Sequence, residues 1–164
     1  MTEKDTKYLN KVTLDKSSIR LKSALVRQEQ AQALDDLRAD TYFHPYQDAH
    51  GPYDIRIALI NNTLEIQIKN ARGEDLPEIR LSLKPYKRLI RDYFLIVESY
   101  EKARNESNTS RLEAIDMGRR GLHNEGAEYL KSKLSENIEM NINTARRLFT
   151  LLCILSAGRN ALWF

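Results

Sequence analysis

The side chains best suited to chemistry are concentrated in residues 113–126, which read EAIDMGRRGLHNEG. Asp116, His123 and Glu125 could exchange protons near neutral pH, a combination typical of general acid–base catalysis. A hydrolase-type enzyme that uses these three candidates is therefore one interpretation, although no nucleophile is evident. The segment is neither a phosphate-binding P-loop nor a zinc-binding histidine pair. Whether the protein is an enzyme stays open at this stage.

A structural interpretation explains the same segment without catalysis. Asp116 would pair with Arg119 or Arg120 one helical turn further along, and Asn124 would cap the helix that follows. The glycines of the segment give the backbone a freedom that a plain salt-bridged helix would not need. We therefore expect Arg119 and His123 to lie close together and to be partly accessible to solvent.

Adjacent basic residues recur at three predicted helix starts. The pairs are Lys87 with Arg88, Arg119 with Arg120, and Arg146 with Arg147. Cations are unfavourable at a helix N-terminus unless negative charge compensates them, whereas backbone N–H groups and guanidinium groups together form good anion sites. The pattern favours a small binding protein for an anionic ligand, for example one containing phosphate, or for an acidic partner. The candidate ligand-binding residues are Arg88, Arg119, Arg120, Asn124, Arg146 and Arg147.

Two alternatives to anion binding stay open. The arginines could be neutralised internally, by Asp92, Glu113, Asp116 or Glu125. RNA binding is the other alternative, because a basic stripe at helical spacing runs through Lys84, Lys87, Arg88 and Arg91. The balance of 26 basic against 23 acidic residues gives a net charge of only +3, which weakens the case for a nucleic-acid-binding protein.

Alternating apolar and polar residues predict three strands in the middle of the chain. Asn61 and Asn62 fit a two-residue turn between the first two, because asparagine tolerates positive φ. The apolar positions are Tyr53, Ile55, Ile57 and Leu59, then Leu64, Ile66 and Ile68, then Ile79, Leu81 and Leu83. The sequence thus predicts an α+β fold, in which an antiparallel β-meander packs on a central helix and the C-terminal half is mostly helical.

The helix after Pro85 has a wide apolar stripe, so we expect it to be the central one that covers the sheet. Ser110 should begin the next helix, and the glycines at 118 and 121 should end it. A further helix is expected over residues 124–134, and Thr144 should cap the last one.

The composition is that of one globular domain, with 41% hydrophobic and 30% charged residues. We expect a flexible N-terminus (1–10), a single domain (11–155) and a C-terminal tail (156–164). The first residues contain no apolar run of the secretory type, and the apolar stretch at 148–155 is far shorter than a membrane span. Because Cys153 is the only cysteine, no disulfide or cysteine-based metal site is expected. A cytoplasmic protein without metal or cofactor follows as the expectation.

The segment at 113–126 also resembles the bacterial uncharacterised protein family 0262. TARRLFTL at 144–151 and RDYFLI at 91–96 are similar to that family as well, so the resemblance spans most of the chain. It implies no activity, substrate or cofactor. The chain departs from the family pattern at residues 19–22 and 27–30 and beyond Leu155, whereas the central motif is intact.

Overall fold

The computed structural model describes residues 6–15 and 23–157 and has the predicted α+β class. Residues 1–5 of the expected flexible N-terminus and 158–164 of the expected tail lie outside the described residues. In chain order the elements are β1 (Leu9–Leu14), α1 (Ala24–Ala39), β2 (Phe43–Pro45), β3 (Tyr53–Ile60), β4 (Thr63–Lys69), β5 (Ile79–Ser82), α2 (Lys87–Asn105), α3 (Thr109–Leu134), β6 (Ile138–Met140) and α4 (Ile142–Ala157).

The three central strands form the predicted antiparallel meander. β3 pairs with β4 and β4 with β5, and the turn residues Asn61 and Asn62 both have positive φ, at 50° and 65°. The predicted inward positions of β3 and β4 are buried, as strand alternation requires. Leu81 of β5, an apolar position of the predicted third strand, is only half-buried and packs against the core.

Two further pairings join distant parts of the chain. β1 lies parallel to β3 and completes a four-stranded sheet in the order β1-β3-β4-β5. β1 begins at Leu9, which is fully buried. β2 pairs antiparallel with β6. Such pairings connect short segments far apart in sequence, and local periodicity contains no signal for them.

The helix at the centre of the core is α4. It contacts α1, α2, α3 and β3, and residues 148–156 are all buried, including Thr150 and Ser156. α2, the helix after Pro85, adds Leu89, Ile90, Tyr93, Phe94 and Val97 to the same core. Among residues 6–15 and 23–157, no helix combines the length and the apolar character needed to cross a membrane.

Residues 109–134 form one continuous helix, and the two helices expected there were a wrong prediction. A helix that stops at glycine commonly needs a left-handed residue, and of the described glycines only Gly73 has positive φ. Each of Gly118 and Gly121 costs the helix about 1 kcal/mol relative to alanine, which the packing of α3 against α2 and α4 outweighs. Arg119 and Arg120 therefore lie in mid-helix, and Asn124 caps nothing.

The starts of the last two helices also differ from the prediction. Asn108, not Ser110, caps α3 by accepting a hydrogen bond from the Arg111 N–H. Asn141 accepts from the Thr144 N–H at 2.9 Å, so α4 begins before Thr144. Arg146 and Arg147 consequently lie in the second turn of α4 rather than the first. Of the three basic pairs, only Lys87 and Arg88 lie at a helix start.

Candidate functional site

Three helices enclose an open cleft with a volume of about 750 Å³. Its lining residues come from α1, from α3 and from the first half of α4, with Tyr100 of α2. Among its lining residues are Asp116, Arg119, Arg120, His123, Asn124, Arg146 and Arg147, which are seven of the nine candidate site residues. Two of the three basic pairs thus share one concave surface with His123.

The continuity of α3 explains why the central motif forms one wall of this cleft. Asp116, Arg119, Arg120, His123 and Asn124 occupy positions i, i+3, i+4, i+7 and i+8, which share one face of an α-helix. The glycines at 118 and 121 are exposed and have open space around them, so they do not shape the cleft. They supply no turn, which was the role that we expected for them.

Arg119 is held by carboxylates from two helices. Its guanidinium group donates to Glu29 Oε1 of α1 at 2.6 Å and to Asp116 Oδ1 on its own helix. The second oxygen of Glu29 accepts a hydrogen bond from the hydroxyl of Tyr93, and the second oxygen of Asp116 lies 3.1 Å from Arg120. Burial, and then the neighbouring Glu29 carboxylate, raise the pKa of Tyr93, so its hydroxyl remains a donor. Internal pairing therefore neutralises most of this end of the cleft.

Arg146 and Arg147 of α4 have different partners. Arg147 forms an ion pair with Asp36 of α1, Nε to Oδ2 at 2.9 Å. Arg146 donates instead to two side-chain amide oxygens, those of Asn124 at 2.7 Å and Asn143 at 3.1 Å. Within the part of the chain that the structure describes, no carboxylate lies at ion-pair distance from Arg146, whereas each of the other three cleft arginines has one.

His123 lies between these two sets of arginines and is neutral near neutral pH. Burial, and then the charges of Arg119, Arg146 and Arg147, lower its pKa from an ordinary 6.5 to about 4. Its ring packs against Tyr93 and Phe149, with centroids 5.7 and 6.1 Å away. As predicted, His123 is partly exposed and on the same helix face as Arg119.

Arg88 and Glu125 do not belong to the cleft. Arg88 forms ion pairs with both Asp92 and Glu125, and all three line a separate hollow of about 370 Å³ between α2 and α3. Glu125 is therefore absent from any acid–base group that Asp116 and His123 could form. Arg88, a member of the basic stripe proposed for RNA, is already neutralised by two carboxylates.

The sequence interpretation missed the contribution of α1 and the hydroxyl of α4. Glu29 and Asp36 are seven residues apart on α1, so they lie on one helix face and pair with arginines 90 and 111 residues away. Thr150 bonds to His123 Nδ1 at 3.2 Å. Thr150 is the one polar residue in the apolar stretch at 148–155, and this position in the sequence could have indicated a hydrogen-bonding role for its hydroxyl. Among the described residues no group of three or more His, Cys, Asp or Glu side chains could hold a metal ion.

Comparison with known proteins assigns the chain to a family. The profile described as "Uncharacterised protein family (UPF0262)" matches residues 6–158. The chain belongs to this family. The UPF0262 protein of Phenylobacterium zucineum is 47% identical over 147 residues, covering 90% of this chain and 91% of the relative. That of Xanthobacter autotrophicus is 45% identical over 148 residues, covering 90% of each.

A third UPF0262 protein, from Brucella anthropi, is 48% identical over 131 residues, which cover 79% of this chain and 82% of the relative. The names of these three relatives indicate no activity. No solved structure matches the chain. The cleft residues of α1, α3 and α4 all fall within the matched region, so the cleft is built from the part of the chain that defines the family.

Proposed function

We propose that the cleft between α1, α3 and α4 binds a small anionic ligand, such as a phosphate or carboxylate group. The observation that carries this proposal is Arg146, a guanidinium group in a concave site whose partners among the described residues are two neutral amide oxygens. A guanidinium group forms stronger, charge-assisted hydrogen bonds with an anion than with an amide. An incoming anion would therefore improve the bonding of Arg146.

The pairing of charges in the cleft supports this location, because Arg119, Arg120 and Arg147 each have a carboxylate partner and Arg146 has none among the described residues. Four arginines and four acids line it, so the cleft as a whole is formally balanced. The acids on α3, Glu113 and Asp116, lie about 16 and about 12 Å along the helix axis from Asn124, at a rise of about 1.5 Å per residue. At the Asn124 end, Asp36 neutralises Arg147, whereas Arg146 has no carboxylate at ion-pair distance among the described residues. Burial, and then the charges of Arg119, Arg146 and Arg147, lower the pKa of the nearby His123.

The hydrolase alternative has less support from the geometry. A histidine with a perturbed pKa in a cleft is typical of a catalytic residue. With a pKa of about 4, however, His123 is not in the imidazolium form that a general acid needs near neutral pH, and it is a weak general base. Both oxygens of Asp116 are bonded to arginines, and Glu125 lies on the other side of α3. Binding therefore remains the better-supported proposal.

Thermal unfolding in the presence of anions tests the proposal. Phosphate, sulfate and small carboxylates would be compared at constant ionic strength, since screening alone changes ion-pair strength. A ligand bound only by the folded protein at a hundred times its Kd adds about 2.7 kcal/mol to the free energy of unfolding. We expect at least one anion to raise the Tm of the parent and of Arg88→Gln, but not of Arg146→Gln. If no anion raises the parent's Tm, or both variants respond alike, the proposal fails.

A further inference from the structure

Ion pairing among the described residues leaves one cleft charge of each sign over. Three arginines and three acids that line the cleft pair with one another: Arg147 with Asp36, Arg119 with Glu29, and Arg120 with Asp116. The remaining arginine is Arg146, and the remaining acid is Glu113. Within residues 6–15 and 23–157, neither has an oppositely charged group at ion-pair distance. The cleft therefore offers one cation and one carboxylate to a ligand.

These two charges are separated along α3. The guanidinium group of Arg146 lies 2.7 Å from the side-chain oxygen of Asn124. Glu113 precedes Asn124 by three helical turns, so the two residues share one face of α3 and lie about 16 Å apart along its axis. A ligand that uses both charges must therefore be elongated, with an anionic group at one end and a cationic group at the other.

The cleft is also larger than an inorganic anion needs. Its volume of about 750 Å³ lies within the range of about 300–1,000 Å³ that is typical of sites for organic ligands. Uncharged residues of α1 line it, namely the apolar Leu25 and Ala33 and the amides Gln28 and Gln32. Amide side chains both donate and accept hydrogen bonds, as peptide groups do. The lining thus suits a ligand with an uncharged body that contains amide groups.

We propose that the cleft binds a short extended peptide, with its terminal carboxylate on Arg146 and its terminal ammonium group on Glu113. The inference rests on the proposed anion site and specifies its ligand. An extended chain advances about 3.3 Å per residue, so about five residues span the distance of about 16 Å along α3. Each terminal group then forms a charge-assisted hydrogen bond with a side chain that has no ion-pair partner among the described residues.

Calorimetric titration at pH 7 with pentaalanine and its two singly blocked forms tests the inference. At this pH the terminal amine, with a pKa near 8, is mostly protonated. Acetylation removes the ammonium charge and keeps the carboxylate, whereas amidation removes the carboxylate and keeps the ammonium group. We expect amidation to weaken binding at least about tenfold. Acetylation should weaken it about threefold, because Glu113 is exposed and solvent screens its charge.

Substitution of each charged residue assigns the two ends of the peptide. Glu113→Gln should weaken the binding of pentaalanine about threefold and leave the affinity for the acetylated form unchanged, because that form has no ammonium group. Arg146→Gln should weaken the binding of both forms. Glu128→Gln removes an exposed carboxylate of α3 that does not line the cleft, so this control should bind as the parent does.

The outcomes distinguish the peptide from the anion site on which it depends. If the parent binds neither pentaalanine nor inorganic phosphate, the anion site itself is wrong. If the parent binds phosphate but not pentaalanine, or binds pentaalanine and its acetylated form equally, the peptide inference alone is refuted. The inference is also overturned if acetylation weakens binding to Glu113→Gln as much as it weakens binding to the parent.

Discussion

The ring of Phe149 lies directly against the backbone of Gly126, in the space that a Cβ atom on this residue would occupy. Gly126 thus sets how closely α3 approaches α4 at this point. An alanine there must displace a buried ring, and overpacking of this kind costs about 1–3 kcal/mol. We therefore expect Gly126→Ala to lower the free energy of unfolding by that amount, measured by urea denaturation.

A matched control for this substitution lies in the same motif. Gly121 is exposed on α3, and beyond its own helix backbone no atom lies within 4 Å of the position that an added methyl group would take. Gly121→Ala should raise the free energy of unfolding by up to about 1 kcal/mol, because alanine is the better helix former. If Gly126→Ala and Gly121→Ala changed the free energy of unfolding equally, the α3–α4 contact would not be as close as described.

The meander gives a second prediction. Ile57 of β3 is 2% exposed, whereas Ile60, at the end of the same strand, is 45% exposed. Truncating a buried isoleucine to alanine removes apolar contacts and leaves a cavity, at a cost of about 2–5 kcal/mol. Urea denaturation should show that loss for Ile57→Ala and a change within about 0.5 kcal/mol for Ile60→Ala. A loss below half a kcal/mol at Ile57 would mean that the sheet is misplaced.

The ion pair between Glu29 and Arg119 gives a third prediction. Only 12% of the Glu29 side chain is exposed, and its carboxylate also accepts from Tyr93. Glu29→Gln leaves a shielded guanidinium group with one carboxylate fewer, so we expect a loss of about 2 kcal/mol in the free energy of unfolding. Asp35→Asn, in the exposed pair with Arg38, is the control and should cost less than about 1 kcal/mol. Similar losses in Glu29→Gln and Asp35→Asn would contradict the conclusion that Glu29 stabilises the contact between α1 and α3 through Arg119.

The lowered pKa of His123 predicts a dependence of stability on pH. The unfolded chain takes up this proton near pH 6.5 and the folded protein only near pH 4, so protonation favours unfolding between those values. Stability should fall as the pH falls through this window, by up to about 3 kcal/mol from this residue. Carboxylates titrate in the same range, so the measurement is the difference between the parent and His123→Gln. An identical pH dependence in both would contradict the burial of the neutral ring.

Local patterns in the sequence predicted the meander and most helix positions correctly. Alternation fixed the inward residues of β3 and β4, and Asn61 and Asn62 marked the turn because their side chains tolerate positive φ. The same reasoning failed at Gly118 and Gly121. Two exposed glycines lower local helix propensity, but tertiary packing of the flanking turns decided the outcome. The chain therefore continues as one helix where its local signals suggested a break.

The cleft could be predicted only in part. Arg119, His123 and Asn124 were recognisable by residue type, and their shared face follows once α3 is continuous. Long-range ion pairs decide which arginines have a carboxylate partner. Arg147 and Asp36, for example, are 111 residues apart in sequence. No local pattern encodes such a contact. Arg88 illustrates the opposite outcome, since two carboxylates neutralise it outside the cleft.

The affinity of the cleft for inorganic phosphate and sulfate, measured by calorimetry in the parent, in Arg146→Gln and in Arg88→Gln, tests the proposed function most directly. Arg88 is exposed and Arg146 is partly buried, and only Arg146 lies in the cleft without a carboxylate partner among the described residues. Loss of a charge-assisted bond should weaken binding at least about tenfold in Arg146→Gln. Arg88→Gln should bind as the parent does. No binding by the parent, or equal weakening in both variants, would contradict an anion site in this cleft.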